Sequence, residues 1–204
     1  MTTTSKHNFG KVLSANLFDF CGFLFFLQNI EEEYGMFVWP CSIVLAEYVW
    51  QQKSFFTGKS VLELGAGISL PGLVAAKVGS NVTLTDDSSR REGEWDLSIS
   101  NLQPSIILGD DILYDSKGAF AFLNSLLQNT PGSVFITTYH NRRYFFRPCI
   151  KSYQWSSLIE YLMVKWSLKC TKLLDAFSCM PSCKCSTLTG NIQLVEIVGK
   201  SCNN

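Results

Sequence analysis

The chain has 204 residues, with 17 Lys+Arg against 17 Asp+Glu and a formal net charge of zero. That length corresponds to one domain of about 150 residues with some excess, enough to bury roughly 70% of the surface an unfolded chain exposes. The charge balance argues against a nucleic-acid binder held by bulk electrostatics, which carries a basic excess, and 47% hydrophobic residues argue against disorder. Residues 12–30 are the candidate membrane span, but their strongest run, 18–27, is ten residues long and contains Asp19. A bilayer helix needs about 20 predominantly apolar residues. Lys6 and Lys11 precede the run as in a signal peptide, yet no small-residue cleavage site follows it. Eight cysteines are too few for a disulfide scaffold, so cytosol or nucleus is the expected compartment. Neither a membrane nor a nucleic acid is an expected partner.

In chain order, residues 1–36 form a leader, expected to be partly disordered or loosely packed, and 37–204 form the main domain. Pro40 suits a first helical position, and Val44, Leu45, Tyr48 and Val49 follow at helical spacing. Thr57-Gly58 breaks the helix. Residues 60–64 form an apolar strand ending on Gly65-Ala66-Gly67, residues 70–78 a helix capped by Gly79, and 81–85 a second strand ending on Asp86-Asp87. This is one βαβ unit. A third strand, 105–108, ends on Gly109-Asp110-Asp111. Residues 117–128 read as a helix, 133–138 as a fourth strand, 157–166 as a helix, 168–174 as a strand and 193–198 as the last strand. Alternating strands and helices predict an α/β fold with a mostly parallel sheet covered on both faces.

Ligands of open α/β sheets bind beyond the carboxyl ends of the strands. Here those ends carry Gly65 and Gly67, then Asp86, then Asp110 and Asp111. A glycine turn lets the backbone approach a ligand, and an acid about 20 residues on accepts two ribose hydroxyls. The dinucleotide fingerprint fails because Leu70 stands where its third glycine belongs, and a phosphate-binding loop fails because no Lys-Ser/Thr follows. Glu63, two residues before the first glycine, disfavours a pyrophosphate and suits a cofactor with an amino group and a sulfonium, as S-adenosyl-L-methionine has. The alternative is a tight strand-to-helix turn that holds nothing.

These residues give the chain its family resemblance. Phe37-Val38-Trp39-Pro40, the long stretch 61–72, residues 82–86, residues 106–115 and residues 135–139 resemble the seven-strand S-adenosylmethionine-dependent methyltransferases, in particular the DxxY protein methyltransferases and their methyltransferase-like protein 23 branch. The resemblance covers roughly 37–90, 94–141 and 157–198. It implies a Rossmann-like methyltransferase sandwich and a protein substrate methylated on a lysine or arginine nitrogen. Glu63, Gly65 and Gly67 would form the cofactor loop, with Asp110 on the cofactor side, Asp86 holding the ribose and Trp39 beside the cofactor. Asp111 and Tyr114 would line the acceptor site as the DxxY signature. A core anchor for Trp39, a solvated strand-end acid for Asp111 and simple packing for Tyr114 are the alternatives. The reaction would be in-line attack of a nitrogen lone pair on the sulfonium methyl, with alignment and desolvation as the protein's task. Asp111 would orient the incoming cation and is not assigned the role of general base.

The chain departs from that family in three places. Between the second strand and the DxxY strand stand seventeen residues, 88–104, enough for one crossover and too few for the additional helix and strand of the relatives. A strand after the second is therefore expected to be missing, leaving the second strand as an edge. Residues 142–155, rich in aromatic and basic side chains, read as an insertion; single-stranded nucleic acid is the less favoured reading of it. The leader does not match. A catalytically inactive variant that competes for the family's protein partners is the alternative to an enzyme. Cys179, Cys183 and Cys185 lack the second spaced pair of a zinc site, and no metal is expected. His140 is assigned a structural or rim role, with no partner visible in sequence.

Overall fold

A computed structural model describes residues 14–20, 23–29, 38–85, 102–112, 116–140, 143–145, 152–175 and 192–199. The apolar run near the amino end, for which the sequence predicts no element, is two strands. β1 (Ser14–Phe20) and β2 (Phe23–Asn29) pair antiparallel with Phe20 opposite Phe23. Two residues, Cys21 and Gly22, separate them, the commonest hairpin spacing.

The next elements follow the predicted periodicities closely. Helix α1 (Pro40–Gln51) starts with its proline in the first turn and buries Val44, Leu45 and Val49. The short α2 (Lys53–Phe56) follows before the Thr57-Gly58 break. β3 (Ser60–Glu63), α3 (Leu70–Lys77) and β4 (Asn81–Leu84) form the βαβ unit, with Val61 in register with Val82. Gly79, at φ 96°, closes α3 by donating to the Ala76 carbonyl at 3.1 Å. β5 (Ile106–Asp110), α4 (Ser116–Asn129) and β6 (Val134–His140) make the second crossover. β7 (Arg143–Phe145) and β8 (Ser152–Gln154) pair antiparallel inside the expected insertion, and α5 (Trp155–Lys165), β9 (Leu168–Asp175) and β10 (Ile192–Gly199) complete the chain.

The central sheet has six strands in the order β4-β3-β5-β6-β10-β9. β3 lies parallel to β4 and β5, and β5 parallel to β6. The sheet is mixed, because β10 inserts between β6 and β9 and runs antiparallel to both. Consecutive strands β9 and β10 pair directly with each other, and such a return needs no helical crossover. Among the described residues β4 is the outer strand, with Leu84 47% exposed. The expectation of a missing strand concerns residues 86–101, outside the described ones.

Strand alternation divides the core. Val61, Ile106, Leu108 and Leu194 pack with Val44, Leu45 and Val49 of α1 and Leu70, Val74 and Ala75 of α3. Leu62, Ile107, Phe135 and Ile197 face the other way, onto Phe122, Leu123, Leu126 and Ile159 of α4 and α5. Each such side chain contributes about 1.5–3 kcal/mol when fully buried, and the sheet they pin fixes the edge where the strand-end residues meet. Among the described residues no helix is long and apolar enough to cross a membrane.

Candidate functional site

The carboxyl ends of β3, β5 and β6 and the start of α1 come together. After β3 the chain makes a turn with three left-handed residues: Gly65 at φ 60°, Gly67 at φ 50° and Ser69 at φ 55°. A Cβ on Gly65 would stand 2.9 Å from Ile112 Cγ2, so the turn lies directly against the chain leaving β5. Ala66 N–H donates to the Thr85 carbonyl, and Thr85 N–H and Oγ1–H both donate to the Glu63 carbonyl, at 2.9, 2.9 and 2.8 Å.

Glu63 braces this turn from beneath. Its side chain is fully buried, and Oε2 accepts the Ser69 hydroxyl at 2.5 Å and the Gly72 N–H at 3.1 Å. Gly72 lies in the first turn of α3, where a negative charge meets the positive end of the helix dipole. A Cβ at Gly72 would collide with that carboxylate oxygen and lie 2.6 Å from Leu84 Cδ2, so glycine is what lets Glu63 reach the amide.

The end of β5 is built differently. Asp110 is part-buried and accepts a short hydrogen bond from the Ser42 hydroxyl of α1. Burial pushes its carboxyl up to about 6; the Ser42 bond opposes that rise and neighbouring Asp111 adds to it. Asp111 takes the left-handed region at φ 51°, and its N–H donates to the Thr138 carbonyl of β6 at 2.8 Å. Thr138 Oγ1–H in turn donates to the Cys41 carbonyl at 2.9 Å, tying the start of α1 to β6. His140 ends β6 against this corner. Its N–H points to Asp111 Oδ1 at 3.4 Å, and its Nδ1 lies 3.6 Å from Asp111 Oδ2 and 3.3 Å from Cys41 Sγ.

Of the residues singled out in the sequence, Glu63, Gly65, Gly67, Asp110 and Asp111 therefore share one sheet edge. Trp39 immediately precedes α1, with extended φ and ψ of −71° and 143°, two residues from Cys41, and its carbonyl accepts from Ser42 N–H at 3.0 Å. Asp86, Tyr114, Cys179, Cys183 and Cys185 lie outside the described residues. His140, read as a rim residue, has close neighbours in Asp111 and Cys41. The sequence reading did not single out Cys41 or Ser42, because their partners stand 99 and 68 positions away. A cavity of about 300 Å³ lies at the opposite, amino ends of the strands, lined among others by Lys59, Ser105, Thr130 and Ser133.

A mixed α/β sheet with a glycine turn and acids at its carboxyl edge is the architecture of Rossmann-like methyltransferases. The structure of an S-adenosylmethionine-dependent methyltransferase from Agrobacterium tumefaciens shares the fold, with a TM-score of 0.57 at 15% identity over 96% of this chain and 73% of that one. The family described as lysine methyltransferase matches residues 23–94. The histone-arginine methyltransferase METTL23 of Xenopus laevis is 36% identical over 169 residues, 69% of this chain and 68% of that protein. Its counterpart from Homo sapiens is 32% identical over 172 residues, 70% of this chain and 84% of that protein. The chain belongs to this family of protein methyltransferases.

Proposed function

We propose that the chain transfers a methyl group from S-adenosyl-L-methionine to a lysine or arginine nitrogen of a protein substrate. The observation that carries this reading is the convergence of the Gly65–Gly67 turn with Asp110 and Asp111 at one sheet edge. The site suits a nucleoside cofactor: Gly65, Ala66 and Gly67 place nothing larger than a methyl group along that turn. Gly65 and Gly67 would lie along the cofactor, with Trp39 and Asp110 flanking it and Asp86 on the ribose. When bound, the cofactor supplies a methyl group made electrophilic by a sulfonium sulfur.

The chain's own residues then have distinct tasks. Glu63 acts through the loop, holding its shape from below. Asp111 faces the acceptor: its left-handed backbone and its bond to Thr138 fix the carboxylate at the edge, where a cationic side chain gains a charge-assisted bond. By the family resemblance Tyr114, outside the described residues, would complete that acceptor side. The charged acceptor must give one proton to solvent for its nitrogen to be methylated, and fixing that nitrogen in place is how an enzyme without a covalent enzyme intermediate gains rate.

Transfer of tritium from labelled S-adenosylmethionine to purified histones, with acid hydrolysis to identify the methylated amino acid, tests the proposal. Label in methyl-arginine or methyl-lysine is the expected result. A folded chain that labels neither histones nor a whole-cell protein extract contradicts it and favours the inactive interaction module.

A further inference from the structure

We propose that Cys41, Asp111 and His140 form a zinc-binding site at the acceptor edge. One ligand atom from each residue lies within 4.8 Å of the others. His140 Nδ1 stands between Cys41 Sγ at 3.3 Å and Asp111 Oδ2 at 3.6 Å. Around a tetrahedral zinc, with Zn–S of about 2.3 Å and Zn–N or Zn–O of about 2.0–2.1 Å, neighbouring ligand atoms stand roughly 3.3–3.6 Å apart. The two pairs that include His140 already have that spacing, and the third pair, Cys41 with Asp111, lies within 4.8 Å.

The frame around the three residues is fixed. Thr138 holds the Cys41 carbonyl through its hydroxyl and the Asp111 N–H through its carbonyl, so α1, the residue that follows β5, and β6 deliver one ligand each to a common point. Cys41 is fully buried, whereas the side chains of His140 and Asp111 are 14% and 21% exposed, which leaves an approach from solvent and room for a water as fourth ligand. Three protein ligands with one open position is the pattern of accessible zinc sites.

The chemistry of the set selects the metal. A thiolate with an imidazole favours zinc over magnesium or calcium, which prefer oxygen donors. On binding, the Cys41 thiol gives its proton to solvent as the zinc–sulfur bond forms. Thiolate, carboxylate and neutral imidazole then carry two negative charges against the two positive charges of zinc, so the ligand set itself is neutral. The site stands independently of methyl transfer. Its consequence rests on that reading: a metal on Asp111 takes the carboxylate that faces the incoming side chain, and transfer stops.

Cobalt(II) titration of the full chain, with and without the Cys179→Ser/Cys183→Ser/Cys185→Ser triple substitution, tests this. A saturable thiolate-to-cobalt charge-transfer band at one equivalent is expected in both. Cys41→Ser and, separately, His140→Gln should remove the band with the circular dichroism spectrum retained. Zinc-edge X-ray absorption of the zinc-loaded triple variant should show one sulfur and three nitrogen or oxygen neighbours. A band that survives Cys41→Ser, a band lost in the triple variant, no band, or more than one sulfur around zinc overturns the site. S-adenosylhomocysteine calorimetry on the same samples keeps the two claims apart: cofactor binding without cobalt binding overturns the metal site and leaves the methyltransferase reading intact.

Discussion

The turns after β3 and β5 lie on the same sheet edge and are built on opposite principles. The first is mostly local. Glu63, Ser69, Gly72 and Thr85 come from one βαβ unit of 25 residues (60–84) and its flank, and their mutual bonds brace the turn, while Leu64 N–H donating to the Leu108 carbonyl and Gly65 lying against Ile112 tie it to β5. The second is assembled across the fold: Asp110 depends on Ser42, Asp111 on Thr138 and His140, and Cys41 joins from α1. A surface that receives an invariant cofactor can be rigid and local. A surface that receives a side chain of another protein is set by the packing of several elements, and substitutions in any of them reach it.

Four substitutions break or sharpen that contrast. The largest effect is expected at Glu63. Glu63→Ala removes a buried carboxylate from two donors, and charge-assisted bonds contribute about 1.5–3 kcal/mol each. A loss of about 3 kcal/mol in urea unfolding is expected, together with loss of cofactor binding. Unchanged stability would show that the turn does not depend on its brace.

Asp110 supplies a pH signature, best read with a chelator present. Its folded carboxyl sits at about 6, above the usual value near 3.8. The folded state therefore keeps a proton that the unfolded state releases, so this contribution is fully present below about pH 4 and is lost as pH rises through about 6. Asp110→Asn abolishes that decline. The stability difference between variant and parent should move in favour of the variant by about 2–3 kcal/mol between pH 4 and pH 7.5. A pH-independent difference would contradict the burial of the carboxyl.

Asp111→Asn keeps a residue that tolerates φ 51° and removes the charge. Losing a charge-assisted bond of about 1.5–3 kcal/mol predicts a roughly 10- to 100-fold fall in kcat/KM toward the protein substrate, with S-adenosylhomocysteine affinity unchanged. A fall in cofactor affinity instead would move Asp111 to the cofactor side of the edge. The smallest effect belongs to Ser42→Ala, which removes the donor that opposes the rise at Asp110. About 1 kcal/mol of stability should be lost near pH 8, with less lost near pH 4, where the carboxyl is protonated.

Sequence alone made the local half of the site readable. The apolar run 60–64, the Gly65-Ala66-Gly67 turn, the helix 70–78 with Gly79 at its end and the run 81–85 predict the βαβ unit, because these signals act within a few residues. The assembled half was only partly readable. Asp110 and Asp111 announce themselves at a strand end, but Ser42 and Cys41 look like ordinary residues of an apolar helix until α1 is laid across β5 and β6. The antiparallel insertion of β10 between β6 and β9 is likewise a choice of partner, and the period of a strand does not name its neighbour. The β1–β2 hairpin was missed for a related reason: its continuous apolar run lacks the alternation that separates strand from helix.

The central claim is that the Gly65–Gly67 turn cradles a nucleoside cofactor. Isothermal titration calorimetry of the full chain with S-adenosylhomocysteine measures it most directly. Saturable heat at one site per chain, abolished by Gly67→Arg in a variant with the parent's circular dichroism spectrum, is the predicted result. A folded parent chain that gives no heat at millimolar ligand, or a Gly67→Arg variant that binds as well as the parent, would contradict it.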